Sequence, residues 1–250
     1  NISRLGRDGR TLVIAAKVLM CRLLHQRTRL EKERHIVTGT FITFEGPDGA
    51  GKTSVLKTLI PQLEQHVRVP LHLTREPGGA KISETIREVI LDPANTAMDA
   101  RTEALLYAAS RRQHLVEVIQ PALAQGDIVV CDRFVDSSVA YQGGGREIGP
   151  DAVLKMNQFA TAGLEPALTL YLDVPVQMGL DRIKSHQNER QYDRLDQESL
   201  AFHERVHDAY MTLIVDNPQR IVSIDATEPL EKVVAACFQT ITRRFPELFN

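Results

Sequence analysis

Tryptophan is absent from this 250-residue chain, and its three cysteines, Cys21, Cys131 and Cys237, lie far apart with no CxxC pair. That spacing implies neither a disulfide framework nor a thiolate zinc site, and reads as reduced thiols. No apolar run approaches the roughly 20 residues of a membrane-spanning helix. Low-complexity linkers and internal repeats are also missing, and the eight histidines are scattered, so a metal–imidazole centre is not expected. What remains is an ordinary globular composition. It is long enough for one large domain, or two small ones, to bury a core without staples.

The formal net charge of −2 conceals an asymmetry. Residues 1–36 carry nine Lys/Arg against three acids, +6, which leaves 21 basic and 29 acidic residues, −8, in 37–250. An acidic body argues against general nucleic-acid binding, which needs a basic face. The basic segment 1–37 has three readings. It could be an Arg-rich targeting presequence, a helix docking on a partner or membrane through "TLVIAAKVLM", or an accessory extension outside the chemistry. The last is preferred, because a complete domain can be read from about Val37 onward.

From residue 40 short β-branched runs alternate with longer helical ones. Strands are expected at 41–45, 70–76, 127–132, 167–174 and 220–225. Helices are expected over 51–66, through "ISETIREVIL" to Asp92-Pro93, and over 102–125 with a kink near Pro121 and a stop at Gly126. The run "DIVVCD" is almost wholly apolar, as in a strand covered on both faces. This pattern predicts an α/β fold, a five-stranded parallel sheet with helices on both faces. Ligands then sit beyond the carboxyl ends of the strands.

The stretch "FITFEGPDGAGKTS" (41–54) carries the first chemistry. Gly46-Pro47-Asp48-Gly49-Ala50-Gly51-Lys52-Thr53 fits GxxxxGK[ST], between an expected strand and an expected helix. Glycines let successive N–H groups converge on phosphate oxygens, and the helix N-terminus adds partial positive charge. Lys52 supplies a cation for the β- and γ-phosphates, and the Thr53 hydroxyl suits Mg²⁺. Asp48 is the odd member. A carboxylate beside polyphosphate is unfavourable unless it faces something else, such as a second substrate's hydroxyl. On its own this loop predicts only ATP or GTP binding with Mg²⁺.

Other stretches place donors and acids at the expected strand ends or on the long helix: "TREPGG" (74–79), "YAASRR" (107–112) and "CDRFVDSSVAYQGGGR" (131–146). Tyr107 and Arg111 stand four apart, hence on one helix face. With "EGPDGAGKT", "LTLYLDV" and "DRLDQES" in the same order, the chain from about 38 to 250 resembles the bacterial thymidylate kinases, P-loop kinases of nucleoside monophosphates. The resemblance implies the P-loop NMP-kinase fold with a short lid, at about 184–195. It also implies phosphoryl transfer from ATP to dTMP, giving dTDP for dTTP synthesis, with Mg²⁺, in a cytoplasmic homodimer that binds neither membrane nor nucleic acid.

Residue roles follow from the same resemblance. Arg133 would grip the dTMP phosphate with Arg75 and Arg87 nearby, in bidentate pairings that suit guanidinium. Asp132 would lie near Mg²⁺, through water. Tyr107 would stack on thymine, Arg111 would donate to O4, and Ser138 and Gln142 would complete the contacts to the base edge. Tyr141 would sit against C2′ of the sugar, and Asp48, with Glu76 as a second candidate, would face the 3′-hydroxyl. The phosphate loop has no arginine of its own, so the catalytic cation is expected from the lid, as Arg190 or Arg194. Two alternatives stay open: a kinase for another nucleoside monophosphate, and a P-loop switch without a small-molecule acceptor. A catalytically dead binding module fits poorly with Lys52, Thr53, Asp132 and Arg133 all present.

Overall fold

The five apolar runs become five parallel strands: β1 (Thr40–Glu45), β2 (Leu71–Arg75), β3 (Ile128–Asp132), β4 (Leu168–Asp173) and β5 (Ile221–Asp225). Their order is β2-β3-β1-β4-β5, so the chain builds outward on both sides of a central β1. The computed structural model describes residues 39–185 and 194–250. The basic segment 1–37 and most of the expected lid, Arg190 included, lie outside the described residues. No helix among those described is long and apolar enough to cross a membrane.

Alternation along the strands explains why both faces are covered. Ile42 and Phe44 of β1, Ile128 and Val130 of β3, and Leu168, Leu170 and Leu172 of β4 point to one face. There they meet α1 (Lys52–Glu64) through Val55, Leu59 and Leu63, and the C-terminal α9 (Leu230–Arg244) through Val233, Cys237 and Ile241. Phe41, Val129 and Cys131 point the other way, onto Leu115, Ile119, Leu123 and Phe134. A third cluster joins Tyr141 and Tyr171 to Phe202, Val206 and Tyr210 of α8 (Leu200–Asp216). Polar atoms inside the sheet are mostly paired, with the Tyr171 hydroxyl and Asp132 Oδ1 as exceptions among the described residues. The Thr43 and Thr169 hydroxyls bond at 2.8 Å, and Arg220 holds Asp136 with contacts of 2.6 and 2.9 Å while donating to Thr169.

Between these elements run α2 (Lys81–Leu91), α3 (Ala100–His114), α4 (Gln120–Ala124), α5 (Val135–Ser138), α6 (Pro150–Thr161) and α7 (Val176–Ser185). Asp99 caps α3, accepting from the backbone N–H groups of Arg101 and Thr102. The expected kinked helix over 102–125 differs in detail. It widens into a π-helical turn at Leu115–Ile119 before Pro121, which has no N–H for the regular ladder. A second π-helical turn, Val139–Gly145, follows α5 and carries Tyr141 and Gln142 inward. Sequence periodicity gives no expectation of it, because the run "QGGGR" opposes a helix.

The phosphate loop is pinned by a backbone-to-backbone approach. A Cβ on Gly49 (φ 77) would lie 2.1 Å from the carbonyl oxygen of Gly179 in α7, and one on Gly179 would lie 2.6 Å from that of Asp48. Gly51 (φ 86) has open space at its Cβ position instead. Gly49→Ala is therefore expected to destabilise by more than ~2 kcal/mol, since a main-chain oxygen cannot yield, while Gly51→Ala bears only the left-handed backbone, about 1 kcal/mol. Urea unfolding of the two variants checks this, and equal losses would contradict the close approach.

Candidate active site

The loop between β1 and α1 curls into a ring at the helix N-terminus, with Gly46, Gly49 and Gly51 all at positive φ. Inside it the Lys52 ammonium donates to the carbonyls of Gly46 (2.9 Å) and Pro47 (3.0 Å). Burial and the charge of Arg133 pull its pKa down to about 8, opposed by Asp132, Asp48 and Glu45. A polyphosphate entering the ring would replace those carbonyls as the partner of Lys52.

Two cavities flank the loop. One, of about 370 Å³, is lined by Asp48, Thr53, Arg75, Glu76, Arg87, Tyr107, Asp132, Arg133, Tyr141 and Gln142, with Pro77, Leu91, Ser137 and Leu195. The other, of about 410 Å³, lies against Gly49, Ala50, Gly51, Ser54 and Val55 on one side and Arg182, Ile183, Ala226, Glu228, Leu230 and Val233 on the other. The same loop thus faces two separate compartments. Asp48 belongs to the first, away from the glycine-rich wall of the second.

Arg133 dominates the first cavity. It follows β3 in the left-handed region (φ 69), and its N–H donates to the Phe44 carbonyl of β1. One guanidinium nitrogen bonds Asp48 Oδ1 at 2.6 Å and the Tyr141 hydroxyl at 3.2 Å, with the plane 4.9 Å from the Tyr141 ring centre. Tyr141 donates in turn to Asp48 Oδ2 at 2.9 Å. Burial would raise the Asp48 carboxyl, but the charges of Arg133 and Lys52 and the tyrosine bond overcome it and hold the group at about 2. Arg75 is parked on Glu84 through two bonds of 2.9 and 3.1 Å, and Arg87 donates to the Pro77 carbonyl at 2.8 Å.

Several expected residues take different positions. Arg111 is 1% exposed. Its guanidinium donates to Glu76 (2.7 Å), Ser138 (3.0 Å), Asn157 and the Phe134 carbonyl (2.9 Å), and it is not among the residues lining the cavity. From outside the cavity lining it ties α3 to α5 and α6. Ser138 is outside the lining as well, and its neighbour Ser137 is the residue that reaches the cavity. Glu76 touches the cavity, yet both its oxygens are engaged, one by Arg111 and one by His114 at 3.0 Å. Arg194 is 7% exposed and bound to Glu103 and the Ile90 carbonyl, an anchored position at the end of the lid segment.

Metal-binding capacity divides into two cases. Asp132 Oδ1 is buried with no hydrogen-bond partner, and Asp132 lines the first cavity together with Thr53. An orphaned carboxylate oxygen beside a hydroxyl at a phosphate loop fits a hard divalent cation. Glu76, His114 and Cys131 also have ligand atoms close together. There Glu76 is already bound by Arg111, and burial raises the thiol pKa well above its usual value, so that group is a hydrogen-bonded core cluster.

Residues that sequence reasoning passed over hold the frame. Glu45, fully buried at the end of β1, accepts from the N–H groups of Phe134 (2.7 Å) and Ser137 (3.3 Å) and from the Tyr210 hydroxyl (2.8 Å). Its one signal is a lone carboxylate in an apolar strand. Glu103 binds Gln142, Arg146 and Arg194. Nothing local distinguishes it from an ordinary first-turn acid on a helix.

A sequence model of the family described as "Thymidylate kinase" matches residues 44–237. Proteins named thymidylate kinase from Lacticaseibacillus casei (strain BL23) and Latilactobacillus sakei subsp. sakei (strain 23K) are 99% and 61% identical over 214 residues, 86% of this chain and 100% of each relative. One from Enterococcus faecalis (strain ATCC 700802 / V583) is 58% identical over 211 residues, 84% of this chain and 99% of that relative.

Burial, and then the nearby charge of Asp136, raise the Glu45 pKa from 4.5 to about 7. The folded protein therefore binds this proton more tightly than the unfolded chain does. Its contribution to stability falls as pH rises between those values, and is level above about 7. Glu45→Gln mimics the protonated acid, so relative to it the native protein should lose stability on the order of 3 kcal/mol between pH 4.5 and 7.5. Urea unfolding at the two pH values measures this; parallel pH profiles for the two proteins would contradict it.

Proposed function

The chain belongs to the thymidylate kinase family, and we propose from that membership and the paired cavities that it transfers the γ-phosphoryl group of ATP to dTMP, giving dTDP and ADP. The observation that carries this reading is the single phosphate loop shared by two compartments, one of which holds three arginines beside aromatic and amide side chains. A donor triphosphate in the loop and an acceptor phosphate at Arg133 would then face each other across Thr53 and Asp132. A switch that only hydrolyses nucleotide needs no such second compartment.

Catalysis on this reading is positioning and charge neutralisation, without a covalent enzyme intermediate. Arg133, Arg75 and Arg87 hold the acceptor phosphate, the last two leaving Glu84 and the Pro77 carbonyl to do so. Lys52 moves from the loop carbonyls to the donor phosphates at the N-terminus of α1. Thr53 and the unpaired oxygen of Asp132 would hold Mg²⁺, which supplies further neutralisation of the phosphate oxygens. Tyr107 stacks on the base, Gln142 meets its edge and Tyr141 closes the sugar side. Asp48 accepts from the 3′-hydroxyl, a role that its depressed pKa and its place in the acceptor cavity support. Arg111 does not line the cavity but keeps one of its five donors without an acceptor among the described residues, and a contact to O4 would require its guanidinium to move toward the base. Arg190 supplies the lid cation, with Arg194 anchoring the segment.

The assembly is a homodimer on this reading. Leu105 on α3 is 59% exposed and Phe159 on α6 is 90% exposed, apolar groups on two helices packed together that a second copy would cover. The buried free thiols Cys131 and Cys237 support a reducing, cytoplasmic setting.

A coupled assay of ADP formation with ATP and Mg²⁺ tests the acceptor. Comparison of dTMP, dUMP, dCMP, UMP and GMP should give highest kcat/KM for dTMP and only trace ADP without an acceptor. Equal turnover with every monophosphate would sink the thymidylate reading, and equal ADP release without any acceptor would favour the switch.

A further inference from the structure

The base end of the acceptor cavity is set by a carboxylate outside it. Glu103, on α3 one turn before Tyr107, has no solvent exposure. Its Oε1 accepts from Gln142 Nε2 at 2.9 Å, and its two oxygens together take the Arg146 guanidinium, with a closest contact of 3.0 Å, and the Arg194 guanidinium. Burial would neutralise the acid, but the bonds and charge of Arg146, with those from Gln142 and Arg194, hold its pKa below the usual value. Glu103 is therefore ionised, and an ionised carboxylate only accepts.

That fixes which end of the Gln142 amide faces it. An amide can be turned over in its site unless a neighbour tells oxygen from nitrogen. A carboxylate flanked by two arginines makes that distinction, because the reversed amide would set oxygen against oxygen. Gln142 is 1% exposed and lines the cavity, and its amide oxygen has no hydrogen-bond partner among the described residues. The cavity accordingly meets an acceptor at Gln142 with a fixed sense.

We propose that Glu103 is a specificity-determining positioning residue: by holding the Gln142 amide in one orientation, it makes the cavity select pyrimidines that carry a donor at N3. Thymine and uracil have an N3–H, whereas cytosine presents a bare N3 that would meet the Gln142 oxygen lone pair to lone pair. Glu103 touches no substrate and acts only through Gln142. The inference rests on the proposed acceptor class, and it adds the residue that separates keto from amino pyrimidines.

The test compares kcat/KM for dTMP, dUMP and dCMP in the wild type, Glu103→Gln and Glu103→Asp. A glutamine at 103 can face Gln142 with either end, so the dTMP:dCMP and dUMP:dCMP preferences should each narrow about tenfold, the scale of one hydrogen bond. The dTMP:dUMP ratio should stay unchanged, and Glu103→Asp should restore discrimination against dCMP. Uniform loss on all three substrates, the mark of a merely structural role, would overturn the proposal. A wild type that does not prefer dTMP to dCMP would overturn the acceptor reading itself. If Glu103→Gln fails to melt cooperatively, the side-chain amide protons of Gln142 in the wild type decide. They are identified in ¹H–¹⁵N spectra by their loss in Gln142→Leu. One should exchange slowly with solvent and stay protected when dTMP is added; rapid exchange of both would refute the fixed orientation.

Discussion

The placement of one arginine governs this architecture. Arg133 occupies a left-handed backbone conformation that costs a non-glycine residue about 1 kcal/mol or more, so neighbours must enforce it. They do so on both sides. Its own N–H is taken by the Phe44 carbonyl, and that of Phe134 is taken by the buried Glu45 carboxylate. Both acceptors sit at the end of β1, immediately before the phosphate loop. The phosphate loop and Arg133 are thus positioned by the same two residues of one strand. Asp48 and Tyr141 then aim the guanidinium across the cavity.

Around that anchor the polar interior is divided by function. Glu45 joins β1 to the turn after β3 and to α8 through Tyr210; Glu76 joins the end of β2 to α3 through Arg111 and His114. Glu103 joins α3 to the π-helical turn and to the segment beginning at Arg194. Both oxygens of each of these three acids are bonded, which reduces the several kcal/mol that an unpaired buried charge would cost. The exception, Asp132 Oδ1, lies where the phosphates would meet. An unsatisfied atom is tolerated where a ligand completes it.

The sheet was legible in the sequence because alternating and continuous apolar runs answer directly to burial. All five strands fall within one or two residues of expectation, from Phe41 in β1 to Ile221 in β5. The phosphate loop was legible because its glycines encode positive φ over a short span. Long-range pairings were not. Tyr210 meets Glu45 across 165 residues, and no local pattern foretells it. Ser137 and Ser138 were hard to separate, because a one-residue shift on a helix turns a side chain by about 100°. The π-helical turn at Val139–Gly145 escaped for a related reason. Its glycines read as a loop, although Gly144 and Gly145 are small because α8 packs against them.

The central claim is that Arg133 is the phosphate ligand of the acceptor. Titration calorimetry of dTMP and of thymidine, each with the wild type and Arg133→Lys, isolates that contact. Lysine keeps the charge but loses the planar pair of donors. The account predicts that dTMP affinity falls by roughly 30-fold while thymidine affinity changes by less than about twofold. Equal losses for both ligands would place Arg133 in the frame of the cavity and contradict its role at the phosphate.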